Sequence, residues 1–223
     1  MRSIFSCKVW RSRQRSRIGF LRHQSARKFK YKGCIRLSMQ KLEKELKNLP
    51  KNFIIGVVMP NDSYEDANMH LLNFLINKKK FTGGYVSVSK PYSHIMSLLK
   101  NKDISTNNIH FIDCISRGLG GKICIGDKCV FVDSPSHLTD LSAALHEFFT
   151  SSGDKNRFLY IDSLSTLSIH NNLDAVLRFV HYVTGKMRIF GFNGIMLSSH
   201  EETNKRLVSG LGQFCDKVIH LQK

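Results

Sequence analysis

The sequence contains no apolar run approaching the ~18 residues needed to cross a membrane as a helix, so no spanning segment is expected. It has no apolar signal-peptide core and no CxxC pair among its six cysteines (Cys7, Cys34, Cys114, Cys124, Cys129 and Cys215). Scattered thiols without a secretory segment imply a reducing, cytoplasmic setting. No GxSxG elbow is present, so serine hydrolase chemistry has no support. His146-Glu147 lacks the spacing of HExxH and does not make a zinc site. His181 adjoins an apolar stripe and reads as a surface or boundary histidine. Acidic residues are missing from residues 1–38, which hold 12 Lys/Arg.

That last absence dominates the charge. The chain of 223 residues has a net charge of +17, and residues 1–51 carry 16 Lys/Arg against 2 Glu. Residues 52–223 carry 18 against 15 and are nearly balanced. Residues 1–38, basic and Ser-interspersed, cannot bury enough surface to offset their ordering entropy, and a disordered leader is expected. Three readings stay open for it: a nucleic-acid-binding arm, since dense Lys/Arg neutralises phosphates without a fold; a targeting peptide; or an artefact of translating from an upstream start, with Met39 the true first residue. Residues 39–223 then form a single domain.

A Gly126-Asp127 turn in KICIGDKCVFV predicts a hairpin over 118–132 that sets Cys124 opposite Cys129. Cα atoms about 4.5 Å apart lie at the short edge of disulfide geometry, and two free thiols are expected.

From Met39 the pattern becomes regular. Met39, Leu42, Leu46 and Leu49 make a helical stripe. Strands follow at 53–59, 83–89, 108–115, 157–162, 194–199 and 217–221. Between them lie helices: one capped by Ser63 with Ala67, Leu71, Phe74 and Leu75 in register, a short one through Leu99, and one capped by Ser134 or Ser136. Another carries Leu173, Val176, Leu177, Val180 and Val183 and stops at Gly185. Strands alternating with helices predict an α/β fold, a three-layer, mainly parallel sheet covered on both faces.

The rest is organised around Arg157-Phe158-Leu159-Tyr160-Ile161-Asp162-Ser163-Leu164-Ser165. An apolar run without polar alternation fits a strand buried on both faces. The acid that ends it lies at the carboxyl edge of the sheet, where open α/β folds bind ligands. The alternative is an Asp162-Ser163 pair that merely begins the next turn.

In this order, the elements of residues 50–223 resemble the RecA-type ATPase core, and in particular its KaiC-like branch, a fold of P-loop NTPase type. RFLYIDSLS resembles the Walker B strand, GFNGIMLSSHEE the strand after it, and FCDKVIHL the closing strand. GGYVSVSKP stands where that family has a strand ending in acidic residues. The resemblance implies a nucleotide site at Asn61, Asp62, Ser63, Asp162, Ser163, Ser199 and His200, with Asp162 holding the metal.

The family's chemistry is only partly matched. A phosphate loop reads GxxxxGK[ST], with backbone N–H groups wrapping the phosphates and a lysine offsetting their charge. Here the stretch is Met59-Pro60-Asn61-Asp62-Ser63-Tyr64-Glu65-Asp66, with no Gly, no Lys and three acids. At Ser89-Lys90 the glutamate that would orient water is missing. No catalytic residue is therefore named, no cofactor is expected, and hydrolysis of ATP is not expected. The expected function is a degenerate RecA/KaiC-like domain, a regulatory or scaffolding pseudo-ATPase that assembles with itself or a protein partner. The alternatives are an ATP- and magnesium-binding signalling protein with a non-standard loop, or a nucleic-acid-binding protein acting through residues 1–38. His200 with Glu201 and Glu202 is otherwise a solvated loop.

Overall fold

The computed structural model describes residues 39–121, 128–151, 153, 156–199 and 205–221. Helix α1 (39–47) follows the stripe read from the sequence. Leu42 and Leu46 are buried, with Met39 and Leu49 packed at the edge of the same cluster.

Seven strands make one sheet: β1 (Ile54–Met59), β2 (Thr82–Ser87), β3 (Ile109–Asp113), β4 (Cys129–Phe131), β5 (Arg157–Asp162), β6 (Asn193–Ser199) and β7 (Lys217–His220). Their order is β4-β3-β2-β5-β6-β1-β7, and every neighbouring pair is parallel. Parallel neighbours need crossover connections, and helices fill these: α2 (Tyr64–Asn73), α3 (Tyr92–Asn101), α4 (Leu138–Ser151), α5 (Leu164–His170), α6 (Leu173–Phe190) and α7 (Lys205–Phe214).

The apolar strands serve two cores in alternation. Phe158 and Tyr160 face α1, α2 and α3, while Leu159 and Ile161 face α4 to α7. β1 divides in the same way, Ile55, Val57 and Met59 against Ile54. Each fully buried Leu, Ile, Val or Phe contributes about 1.5–3 kcal/mol relative to exposure. One close approach depends on glycine: a Cβ on Gly83 would lie 2.3 Å from the Phe158 carbonyl oxygen on the neighbouring strand.

Several sequence expectations change. β4 pairs in parallel with β3, its Cys129 beside Phe111, so this stretch extends the main sheet. The opposite half of the expected hairpin, with Cys124 and the Gly126-Asp127 turn, lies outside the described residues, as do residues 1–38 and Cys7 and Cys34. Helix α6 runs through Gly185 and stops at Gly191, whose φ of 70° gives the left-handed cap. Ser63 precedes α2, but its hydroxyl donates to the Pro60 carbonyl instead of capping the helix. Helices α5 and α7 were not anticipated.

Among the described residues, no helix is long and apolar enough to cross a membrane.

Candidate functional site

The strand register brings four carboxyl ends to one edge, with Met59 beside Ser199 and Ser87 beside Asp162. A cleft of ≈ 330 Å³ opens there. Asn61 lines it from the turn after β1, Tyr64 and Glu65 from the start of α2, and Ser89 and Lys90 from the turn after β2. Ser163, Thr166 and Ser199 complete the wall.

Asp162, the residue before Ser163, is only 1% exposed. Two residues beyond Tyr160, it shares the face that meets α2. Tyr64, at the first position of α2, donates its hydroxyl to Asp162 Oδ1 at 2.5 Å. Asn68, one turn on, donates to Oδ2 at 2.7 Å, and the Tyr85 hydroxyl from β2 donates to Oδ2 at 2.5 Å. Tyr160 closes the network by donating to Asn68 Oδ1 at 2.9 Å. Tyr85 and Tyr160 stack beneath it with ring centroids 5.4 Å apart. Burial raises the Asp162 carboxyl above its ordinary range against the opposing pull of Tyr64, Tyr85 and Asn68. Burial, with the Asp162 charge behind it, pushes the Tyr64 and Tyr85 phenols well above theirs.

The remaining residues divide. Ser163 begins α5 as its N-cap, accepting from the Thr166 N–H and hydrogen-bonding the hydroxyls of Ser165 and Thr166. Ser199 bonds Asn61 Oδ1, tying the end of β6 to the turn after β1. Asp62 is exposed and does not line the cleft. His200, Glu201 and Glu202 lie outside the described residues. The structure thus gathers Asn61, Asp162, Ser163 and Ser199 at one edge, with Ser63 buried behind the turn.

Tyr64, Asn68 and Tyr85 were not among the sequence candidates. The one available signal was the i, i+4 spacing of Tyr64 and Asn68, which puts both on one face of α2.

Two of the three acids of the turn are less exposed electrostatically than the sequence suggested. Glu65 Oε2 lies 2.7 Å from Lys90 Nζ, and Asp66 Oδ1 3.6 Å from Lys102 Nζ. The Lys90 hydrogen bond holds the Glu65 carboxyl below its ordinary range. When Met59–Asp66 is set against GxxxxGK[ST], Glu65 takes the place of the lysine. Lys90 in turn lies in the turn just after β2, where the resemblance implies a glutamate. Glu65 and Lys90 thus carry charges opposite to those that the sequence resemblance implies at these two places.

Elsewhere, Asp113 at the end of β3 is occupied by the backbone N–H groups of Tyr92, Ile115 and Ser116 and by the Ser116 hydroxyl. His146 lies on α4 with Lys186 Nζ 3.4 Å from its Nδ1, and His181 is an exposed histidine beside the Phe214 ring. Among the described residues, no group of three or more His, Cys, Asp or Glu could hold a metal ion.

Solved structures share the fold. The KaiC-like protein PH0186 of Pyrococcus horikoshii has a TM-score of 0.54 at 9% identity, over 78% of this chain and 75% of that one. The fold is RecA-like, as in KaiC-like proteins. An uncharacterised Pyrococcus horikoshii protein, PH0321, whose structure is described as a complex with an unknown peptide, gives a TM-score of 0.57. It is 13% identical, with 81% of this chain and 82% of that one covered. The flagellar accessory protein FlaH of Methanocaldococcus jannaschii is 13% identical with a TM-score of 0.50, over 77% of this chain and 72% of that one. At such identities the likeness is one of fold. No family model matches the sequence, and neither does any curated protein.

Proposed function

We propose that this chain is a RecA/KaiC-like domain that does not hydrolyse ATP and serves a regulatory or scaffolding role through protein–protein assembly. One observation carries the reading. The carboxylate that would hold magnesium is capped by Tyr64, Tyr85 and Asn68, and Tyr64 projects from the very turn that would have to wrap the phosphates. A metal at Asp162 would have to displace donors from a buried acid, and no lysine from the 59–66 turn faces the phosphate position. The Lys90 charge is already neutralised by Glu65. Assembly draws its support from the peptide bound to the structural neighbour PH0321.

A second reading, an ATP-binding signalling protein with a non-standard loop, draws on the cleft that remains, whose hydroxyl-bearing wall includes Ser163, Thr166 and Ser199. Titrating the full chain with a slowly hydrolysed ATP analogue at millimolar magnesium, followed by calorimetry, separates the two. No binding heat is the expected result. Micromolar affinity, or a magnesium-dependent ATPase rate abolished by Asp162→Asn, would give the second reading the lead. Light scattering tests assembly: a mass fixed at 25.5 kDa at every concentration would remove self-association. Salt-dependent binding of nucleic acid, with and without residues 1–38, tests the basic leader.

A further inference from the structure

Helix α1 turns its leucines inward and its lysines outward. Leu42 and Leu46 are buried in the core beneath it, while Gln40, Lys41, Lys44 and Lys47 are exposed. At 1.5 Å per residue, Lys41, Lys44 and Lys47 make a stripe about 9 Å long, with i, i+3 neighbours along it. A carboxylate bounds the stripe on each flank, and a neighbouring element engages each one. Glu43 Oε1 lies 2.7 Å from Lys78 Nζ, and Glu45 is paired with Lys217 at the start of β7. These hydrogen bonds hold both carboxyls below their ordinary range. Lys47 adds to the effect on Glu43, and Lys41 and Lys44 to that on Glu45. Two acids are thus shared among five lysines, and exposed Lys79 and Lys80 follow Lys78 in the chain.

The surplus of positive charge calls for an anionic partner, and the form of the stripe selects among the candidates. No arginine or aromatic residue stands on α1 to read or stack on bases. The exposed residues of α1 are all polar, so it offers a bilayer no apolar face to insert. A broad anionic surface would also bring its charges over Glu43 and Glu45, whereas a single acidic segment can follow the lysines between them. We propose that the outer face of α1 docks an acidic segment of a partner protein, whose Asp or Glu side chains meet Lys41, Lys44 and Lys47. This names the partner's chemistry for the assembly proposed above and rests on that reading.

A hexaglutamate peptide is the probe, titrated into the full chain. The readout is the amide resonances of Gln40, Lys44 and Asn48, which separates docking on α1 from ion pairing with residues 1–38. The peptide should shift these amides with a dissociation constant on the order of 1 mM, weakening as salt is raised. Replacing Lys41, Lys44 and Lys47 together by Gln should weaken this binding about tenfold. Replacing the same three by Arg keeps the charge and should preserve it. Lys100→Gln, Lys128→Gln and Lys205→Gln, all exposed on other elements, should leave it unchanged. Three results would overturn the proposal: no shift at the α1 amides, equal weakening in the two Gln triples, or tighter binding there of a short DNA duplex or phosphatidylserine vesicles at equal charge. Self-association seen by light scattering, with no peptide shift at α1, would remove this docking face and leave the assembly reading standing.

Discussion

The Tyr64 hydroxyl lies 2.5 Å from Asp162 Oδ1, joining the first residue of α2 to the last residue of β5 across 98 positions of sequence. The contact turns an acid at a sheet edge into the centre of a closed polar network. Its other oxygen is shared by Tyr85 and Asn68. A buried carboxylate surrounded by donors is costly to leave unpaired and tolerable when fully satisfied.

The first prediction concerns that network. Asp162→Ala leaves three donors facing a void and should cost at least about 3 kcal/mol, taking 1–3 kcal/mol per orphaned buried donor. Asp162→Asn keeps an acceptor for Tyr85 and Asn68, and Tyr64 can turn to accept from the new amide, so its cost should be clearly smaller. Tyr85→Phe removes one donor to a buried acid and should cost about 1.5–3 kcal/mol. Urea denaturation of the three variants is the check. Equal stabilities for Asp162→Ala and wild type would show that the network contributes nothing to folding.

A second prediction contrasts three glycines. Gly185 lies inside α6 with open space around its missing Cβ, so Gly185→Ala should stabilise by about 0.5–1 kcal/mol. Gly191 caps the same helix at φ 70°, and Gly191→Ala should cost about 1–2 kcal/mol. Gly83→Ala would force a methyl against the backbone of β5 and should cost more than about 3 kcal/mol or abolish folding. Thermal unfolding orders the three; a destabilised Gly185→Ala would contradict the continuous α6.

These positions also mark what the sequence could reveal. β5 was legible because four apolar residues running into Asp162 carry their own signature, and α1 because its stripe is periodic. Gly185 and Gly191 look alike as helix stops; the choice between them rests on the left-handed turn that packs Gly191 beside Asn52. α7, broken by Gly210 and Gly212, and α5, only seven residues long, were passed over, although Leu207, Leu211 and Phe214 recur at helical spacing and Ser163 is a helix-capping residue; both helices pack Leu207, Leu211, Leu164 and Leu167 into the second core. The pairing of β4 with β3 was missed because a two-residue turn is a local cue, while that pairing is a contact across the chain. The Asp162 partners were hidden for the same reason. Spacing shows which face a residue occupies but not what the opposite element presents.

A third prediction is a pH dependence. Burial holds the His70 imidazole below its ordinary 6.5, outweighing the opposite pull of Glu43, while Lys78 adds to the lowering. The folded state therefore binds this proton at lower pH than the unfolded chain does. The contribution is complete above about pH 6.5 and is lost as pH falls from there through the folded value. His70→Gln should flatten the fall in stability between pH 7.5 and 5.5, measured as urea midpoints. An unchanged slope in the variant would show that another group sets it.

The last prediction uses the opposite charges of Glu65 and Lys90. Both side chains are partly exposed, 53% and 30%, so the pair should contribute under about 1 kcal/mol. Glu65→Lys should be mildly destabilising because it sets two cations together, and adding Lys90→Glu should restore the loss. The double exchange also gives the 59–66 turn a lysine and the turn after β2 a glutamate. If charge alone excludes a triphosphate, that protein should bind the ATP analogue. The geometry argues otherwise, since Tyr64 still covers Asp162 Oδ1 and the turn still has Pro60 in place of flexible, N–H-bearing backbone. The expected result is no measurable affinity for the double exchange. Weak binding should appear only when Tyr64→Gly is added, because that change exposes Oδ1 and loosens the start of α2. Micromolar binding by the double exchange alone would show that charge, and not the tyrosine cap, closes the site.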